Sequence, residues 1–178
     1  MTISMPATVK SFGNESLQVL TAAPASNAAV ILAEITASDN ITCHVVGDWY
    51  ATAETNKVAR QRKMCQTKTT EALGVSTWQT PDLMYTYLPQ SVGTPATAGN
   101  EAYEALVEGA TVYLLQRLGK GGKTAITTGD EYLLWPVELG PQVPGPSADD
   151  EGGEFIMTQT CAFAPGYDEP ISGTVAAA

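Results

Sequence analysis

The clearest pattern of apolar and polar positions lies between Asn100 and Gly119, where a helical spacing changes to a strand-like run. Asparagine is a favoured helix N-cap, because its side-chain oxygen accepts a hydrogen bond from a backbone N–H of the first turn. The apolar residues that recur at helical spacing are Ala102, Tyr103, Leu106 and Val107. Gly109 then suits the left-handed backbone that often follows a helix. We predict one short helix here.

The residues that follow, 111–118, are β-branched and aromatic at first and apolar at both alternating sets of positions. Strands that are buried on both faces have this composition, whereas half-exposed strands alternate apolar with polar residues. The sequence therefore predicts a central strand with other elements packed against each face.

Seven further segments show the alternation and β-branched content that are typical of strands. They are residues 17–20, 28–36, 41–46, 77–88, 124–128, 132–139 and 154–163. Residues 38–40 are expected to turn the second of these into the third, and Pro81 to place the start of 77–88 at an edge or bulge. About eight strands and one helix predict a mainly β (α+β) fold, a β-sandwich or barrel with one flanking α-helix. Without a repeat or linker, residues 1–178 are expected to form a single domain, with 164–178 as a C-terminal tail.

Residues 47–76 interrupt this pattern as a long inter-strand loop or arm with few large apolar side chains. They hold five of the nine bases in the chain, namely Lys57, Arg60, Arg62, Lys63 and Lys68. Loops of this length in compact domains are functional or disordered. Two interpretations stay open: a flexible surface loop, and an arm that is ordered by lying on another subunit.

Composition narrows the function classes. The 178 residues suffice for a stable core, and a hydrophobic content of 44% excludes an acidic disordered chain. The net charge is −10, and without the five bases of residues 47–76 it is −15. The rest of the chain is therefore expected to repel nucleic acid. No apolar run is long enough to span a bilayer and no signal pattern begins the chain, so a soluble protein made in a cytoplasm is expected. Three dispersed cysteines predict neither a disulfide framework nor a zinc site.

The most enzyme-like stretch is 119–124, which ends in Gly-Lys-Thr like a phosphate-binding P-loop. That motif requires glycine where this chain has Arg117, and a helix after the loop, which residues 125–129 do not favour. A glycine-rich hairpin turn is the better interpretation. A nucleotide-dependent enzyme using Lys123 and Thr124 remains an alternative.

No other residues suggest a reaction. His44 is the single histidine and lies in a predicted strand, where packing or a hydrogen bond is the ordinary role. The acids at 149–151 and Glu154 lack the ligand spacing of a known calcium loop. The three tryptophans are scattered along the sequence. We therefore predict no catalytic residue, metal or cofactor, and a self-assembling structural subunit instead of an enzyme.

The chain resembles the major tail tube proteins of long-tailed, non-contractile bacteriophages, especially those of actinobacterial hosts. The likeness covers most of residues 28–163. The matching positions are Asn100, Ala102, Tyr103, Ala105, Leu106, Gly109, Tyr113, Leu114, Arg117 and Gly119, the pair Arg60 and Arg62, and the run Trp135, Pro136, Val137 and Glu138.

This resemblance implies a tail-tube-like β-sandwich that assembles into stacked hexameric rings around a channel. The channel would hold the tape-measure protein and later pass double-stranded DNA. Tail terminator and baseplate proteins are the other partners implied, with no membrane partner. The location implied is the virion tail, after synthesis in the cytoplasm of the bacterial host.

Two sets of site residues follow from that expectation. The long loop would contact another subunit through Arg60, Arg62 and Lys63, together with Lys57 and Lys68. Acids that face the channel would repel DNA phosphates. The candidates for the channel wall are Glu34, Glu138 and Glu154.

Two alternatives remain open, one within virion proteins and one among binding modules. A head decoration or head–tail joining protein would be a different virion component with a similar sandwich. A carbohydrate-binding module would display tryptophans on one exposed face.

Overall fold

The computed structural model describes residues 13–47, 49–68, 70–89, 99–145 and 153–177. Two short helices and nine strands are present in these residues. The helices are α1 (Leu32–Thr36) and α2 (Glu101–Ala105). The strands are β1 (Glu15–Leu20), β2 (Asp39–Asn40), β3 (Thr52–Ala59), β4 (Glu71–Gln79), β5 (Leu83–Thr86), β6 (Thr111–Leu118), β7 (Glu131–Gly145), β8 (Ile156–Phe163) and β9 (Ile171–Thr174). The prediction of a mainly β fold is confirmed.

Seven of the strands form one antiparallel sheet in the order β2-β1-β6-β7-β8-β5, and β9 also pairs with β7. Strand β7 is 15 residues long and organises this sheet. One of its edges pairs with β6, and the other pairs first with β9 and then with β8. A one-residue bulge between Leu139 and Gln142 bends β7 where the pairing with β8 continues.

The sheet curls until its two ends meet across residues 41–46. At one end of this segment, the Ile41 amide donates to the Leu17 carbonyl of β1 at 3.1 Å. At the other, the Val46 amide donates to Met84 of β5 at 2.8 Å, and the Thr86 amide donates to His44 at 2.8 Å. These bonds cover edges that would otherwise present unpaired backbone groups.

Two apolar clusters lie on opposite faces of β6 and β7. The larger cluster fills the inside of the curl and contains Leu114, Trp135 and Tyr85, with Leu106 from the end of α2. The smaller cluster lies on the outer face. It brings together Leu20, Val30, Ile35, Leu115, Ile126, Tyr132, Leu134 and Val175. Burial on both faces confirms the prediction for β6.

Two strand predictions near the N-terminal half are wrong. Residues 28–36 contain α1, because the Glu34 carboxylate accepts from the amides of Ala25 at 2.9 Å and Ile31 at 3.1 Å and so fixes the start of the helix. Residues 41–46 form a turn, in which the Thr42 hydroxyl takes the hydrogen bonds of Leu17 that a strand would have made. The expected turn at residues 38–40 contains β2 instead.

Other boundaries also differ from the predictions. Residues 124–128 form no strand, and 77–88 divide into the end of β4 and a separate β5, on either side of Pro81. The supposed tail contains β9, which was missed because it is short and half polar. The strand predicted at 132–139 is longer than expected, since β7 runs to Gly145.

The segment around Asn100 has a different local chemistry from the one expected. Asn100 does sit at the N-cap of α2, but its side chain makes no cap hydrogen bond. Instead it bonds the backbone of Leu88, accepting from the amide at 2.7 Å and donating to the carbonyl at 3.2 Å. The helix ends at Ala105, before the last positions of the apolar pattern. No helix in the described residues is long and apolar enough to cross a membrane.

Candidate functional site

Residues 52–79, which we call the arm, form a two-stranded antiparallel hairpin of β3 and β4 that is separate from the main sheet. Within the long loop predicted for 47–76, residues 52–59 and 71–76 are thus strands. Every residue of β3 is exposed, and β4 is exposed at seven of its nine positions. The rest of the described chain, which we call the body, packs against the arm at Trp78, near the end of β4. Because the remainder of the arm is largely exposed, it has the marginal stability of an isolated hairpin.

The five predicted contact bases all lie on the arm and are all exposed. Lys57 approaches Glu71 at 3.9 Å, with both side chains 70% exposed, a pair worth about 0–1 kcal/mol. The other four lie in the turn that joins β3 to β4, and none has an ion-pair partner among the described residues. They are Arg60, Arg62, Lys63 and Lys68.

The arm also carries apolar side chains that its own chain leaves uncovered. Leu73 is 77% exposed, Val75 is 75% exposed and Val58 is 50% exposed. Leu73 lies directly opposite Lys57 in the hairpin register. Exposed apolar residues beside free bases are typical of a surface that another molecule covers.

The three tryptophans, scattered in the sequence, meet where the arm joins the body, a place we call the arm root. Trp49 comes shortly before β3, and Trp78 is near the end of β4. Both pack edge-on against Trp135 of β7, with ring centroids 5.3 Å and 6.0 Å away. Sequence reasoning missed this cluster, because no spacing indicates that the three side chains converge.

Gln116 links these tryptophans through a buried amide that is 3% exposed. Its Nε2 donates to the Trp49 carbonyl at 2.9 Å, and its Oε1 accepts from Trp135 Nε1 at 3.2 Å. The Trp49 indole in turn donates to the Pro81 carbonyl at 3.2 Å. The arm root is therefore held by hydrogen bonds as well as by aromatic packing.

The P-loop-like stretch is organised by Arg117, which is 1% exposed. Its guanidinium donates to the carbonyls of Gly121, Thr124 and Ala125 at 2.7–3.1 Å and pairs with Asp130 at 3.0 Å. Arg117 stands where a P-loop needs glycine, and its role here is to fold the loop around its side chain.

Backbone N–H groups that would have to cradle a phosphate are already used. Gly119 donates to Asn14, Gly122 donates to Gly13, and Thr124 donates to Gly121. A Cβ on Gly122 would lie 2.5 Å from the Glu15 carbonyl oxygen, so close packing against β1 explains this glycine. The geometry supports a structural turn and gives no support to nucleotide binding through Lys123 and Thr124.

Asp130 completes the buried ionic group. Burial alone would raise the pKa of this carboxyl, but hydrogen bonds from Lys120, Arg117 and Thr127 outweigh it and hold the pKa well below its usual range. Since the folded pKa is depressed, the stabilisation is fully present above the unfolded pKa, about 3.9, and is lost as the pH falls below it.

We expect this group to make acid unfolding steeper below about pH 4. The measurement is the urea unfolding free energy of the wild type and Asp130→Asn between pH 3 and 7, chosen to bracket the unfolded carboxyl pKa of about 3.9. The difference between the two proteins should shrink as the pH falls. A constant difference across that range would contradict the role of the Asp130 carboxylate.

The predicted channel acids lie in different surroundings. Glu138 is exposed on the outer face of β7, with Thr111 and Ala162 beside it on the neighbouring strands. Glu154 is exposed just before β8. Glu34 has its carboxylate occupied by the two backbone amides that begin α1. The structure does not bring the three acids into one site.

The single histidine, the possible metal ligands and the tryptophans also form no functional site among the described residues. His44 contacts Glu101 at 3.0 Å, beside the segment that joins the ends of the sheet. Within the described ranges no group of three or more His, Cys, Asp or Glu side chains could hold a metal ion. The acids at 149–151 lie outside those ranges. Trp49 and Trp135 are buried and Trp78 is partly buried, so the exposed tryptophan face of a carbohydrate-binding module is not formed.

Comparison with known proteins adds the family. No curated protein matches the chain. A family model described as phage tail tube protein matches residues 3–174. This match includes the body and the arm, and so takes in all the surfaces described above.

Proposed function

Because the chain belongs to the phage tail tube protein family, we propose that it forms stacked hexameric rings whose channel holds the tape-measure protein and later passes DNA. Family membership makes it a structural subunit of the virion tail and not an enzyme. The same family membership argues against the head decoration, joining-protein and carbohydrate-binding alternatives. The observation in this chain that supports ring assembly is the uncovered arm.

The arm has the properties of a contact that is completed by another subunit. Between Thr52 and Gln79 there are five bases and two acids, a formal charge of +3, which leaves −13 on the rest of the chain. A basic projection on an acidic body is attracted to other copies of that body. Covering its apolar side chains would also supply the burial that an isolated hairpin lacks.

The channel wall is proposed to include the exposed outer face of β7, β8 and β5, with the adjoining start of β6. This face presents Glu138 together with small and hydroxylated residues such as Thr111, Thr160 and Ala162. The described residues of these strands include no Lys or Arg side chain on this face. DNA phosphates would therefore release no counterions by binding to the wall. Glu138 and Glu154 are the stronger candidates for wall acids, since Glu34 already binds backbone amides.

Electron microscopy of the purified chain tests this function. Tubes or six-fold rings are expected, with Glu138 and Glu154 on the channel wall in a reconstruction. A chain that stays monomeric at every concentration would refute assembly. A neutral or basic wall would refute the proposed role of the acids while leaving assembly in place.

Tail partners are proposed on the same basis. The tape-measure protein would occupy the channel, and tail terminator and baseplate proteins would meet the two ends of the tube. The subunit would be made in the cytoplasm of the bacterial host before it joins the virion. Cross-linking of purified virions should connect it to these proteins, and a virion without the chain would rule the proposal out.

Charge reversal on the arm should impair assembly. In Arg60→Glu/Arg62→Glu, attraction to an acidic neighbour becomes repulsion, and we expect the protein concentration needed for tube formation to rise at least about tenfold, equivalent to about 1.4 kcal/mol. Sedimentation across a concentration series measures this.

The matched control is Lys123→Glu, which reverses an exposed base in the glycine-rich turn. It should leave the critical concentration close to that of the wild type. The thermal midpoint of the unassembled arm variant should also be unchanged, because these side chains pack on nothing in their own subunit. Normal tube formation by the double variant would show that the bases are only solvated.

A further inference from the structure

The arm root borders an open groove that has no role in the ring assembly proposed above. Two cavities of about 460 Å³ and 690 Å³ lie side by side over β6, β7 and β9. Both are lined by Gln116, Leu118, Leu133 and Ser172, so they form one continuous depression, which we call the root groove. The volume of each cavity lies in the range of ligand-binding sites.

The root groove has an apolar floor and an acidic rim. Leu133, Trp135 and Trp78 line its larger part, and Leu118 at its edge is 46% exposed. Glu131 and Glu169 lie on its lining and are both exposed. Neither acid has an ion-pair partner among the described residues. This combination is complementary to the arm, which carries exposed aliphatic residues on its strands and unpaired bases in the turn that joins them.

We infer that the root groove is the acceptor for the arm of a second copy of this chain. The inference rests on the proposed function and names the surface at which it occurs. Leu73 and Val75 of the incoming arm would cover the apolar floor, while the unpaired bases of the adjoining β3–β4 turn meet Glu131 and Glu169.

A subunit's own arm does not fill this groove. Trp78, which forms part of the groove wall, is five residues from Leu73 along β4, about 17 Å at about 3.4 Å per residue. Leu73 stays 77% exposed in its own chain. Donor and acceptor are thus different surfaces of one molecule. Contacts of that kind are heterologous and repeat into rings or tubes.

Disulfide trapping tests the inference directly. In a Cys43→Ser/Cys65→Ser background, which removes the two exposed thiols, Leu73→Cys is combined with Ser172→Cys in the groove. Oxidation of assembled protein should give a ladder of covalent dimers, trimers and longer chains on denaturing gels. Leu73→Cys with Thr111→Cys, another exposed strand residue, is the matched control and should give no ladder.

A second measurement identifies the occupant of the groove. A benzophenone group attached to Ser172→Cys should photo-cross-link peptides from the arm, and a mixture of isotopically light and heavy subunits should show the link to be between copies. Tubes without the ladder, or cross-links to residues 1–12, would overturn the groove assignment and leave tube assembly standing. If the parent protein forms no tubes, the proposed function itself fails.

Discussion

Replacement of Asp130 by alanine is expected to lower the free energy of unfolding by about 3–5 kcal/mol. The change leaves the Arg117 guanidinium, 1% exposed, without its counter-charge. A buried charge that loses its partner keeps the desolvation cost and loses the attraction that offset it. Arg117 also holds three loop carbonyls, so the glycine-rich turn should loosen with it. Urea unfolding of the unassembled subunit measures the loss.

Two variants separate the buried pair from its surroundings. Asp168→Ala removes an exposed acid and should change stability by no more than about 0.5 kcal/mol. Lys120→Ala removes the partly exposed partner of Asp130 and should cost less than about 1 kcal/mol. If Asp130→Ala proved no more damaging than these two, the ionic group would not be a stabilising centre of the fold.

The body of the protein was largely predictable, because the apolar and polar positions of its strands reflect which of their faces are buried. The run at β6 is apolar at both alternating positions, and the structure buries it on both faces. The first half of β7 is likewise apolar and buried on both faces, and β8 alternates in the way that a half-exposed strand requires. In the two wrong strand predictions at 28–36 and 41–46, a single side chain decided the outcome: Glu34 starts α1, and Thr42 replaces a strand ladder with a turn.

The arm escaped prediction for a different physical reason. Alternation indicates a strand only when one face of the strand is buried, and both faces of β3 and β4 are exposed in the single chain. Its sequence was therefore indistinguishable from that of a loop. The segment was nevertheless singled out by its bases, because charge composition does not depend on burial.

The arm root shows a further limit of sequence reasoning. Trp49, Trp78 and Trp135 belong to three separate segments, and only the closure of the sheet brings them together. Their position links body stability to arm placement, since Trp49 precedes the arm and Trp78 ends it. A substitution at Trp135 should therefore affect both the stability of the body and the placement of the arm.

Replacing Trp135 by alanine is expected to cost about 3–5 kcal/mol of unfolding free energy, because a large buried side chain is exchanged for a cavity. The cavity would open between Trp49 and Trp78 and would free the Gln116 amide oxygen. The arm should then lose its fixed direction, and tube formation should fail even under conditions in which the body stays folded. Urea unfolding and electron microscopy of the same sample measure the two effects.

The matched control is Phe155→Ala, which removes an aromatic side chain that is 54% exposed and should leave both measurements near the wild type. Trp135→Phe retains an aromatic ring but not the indole N–H, so it should recover most of the stability and part of the assembly. Leu73→Asp should affect assembly alone. Subunit stability should stay normal, because Leu73 is 77% exposed in its own chain, but no tubes should form. Tubes formed normally by Trp135→Ala would show that arm direction does not depend on the root.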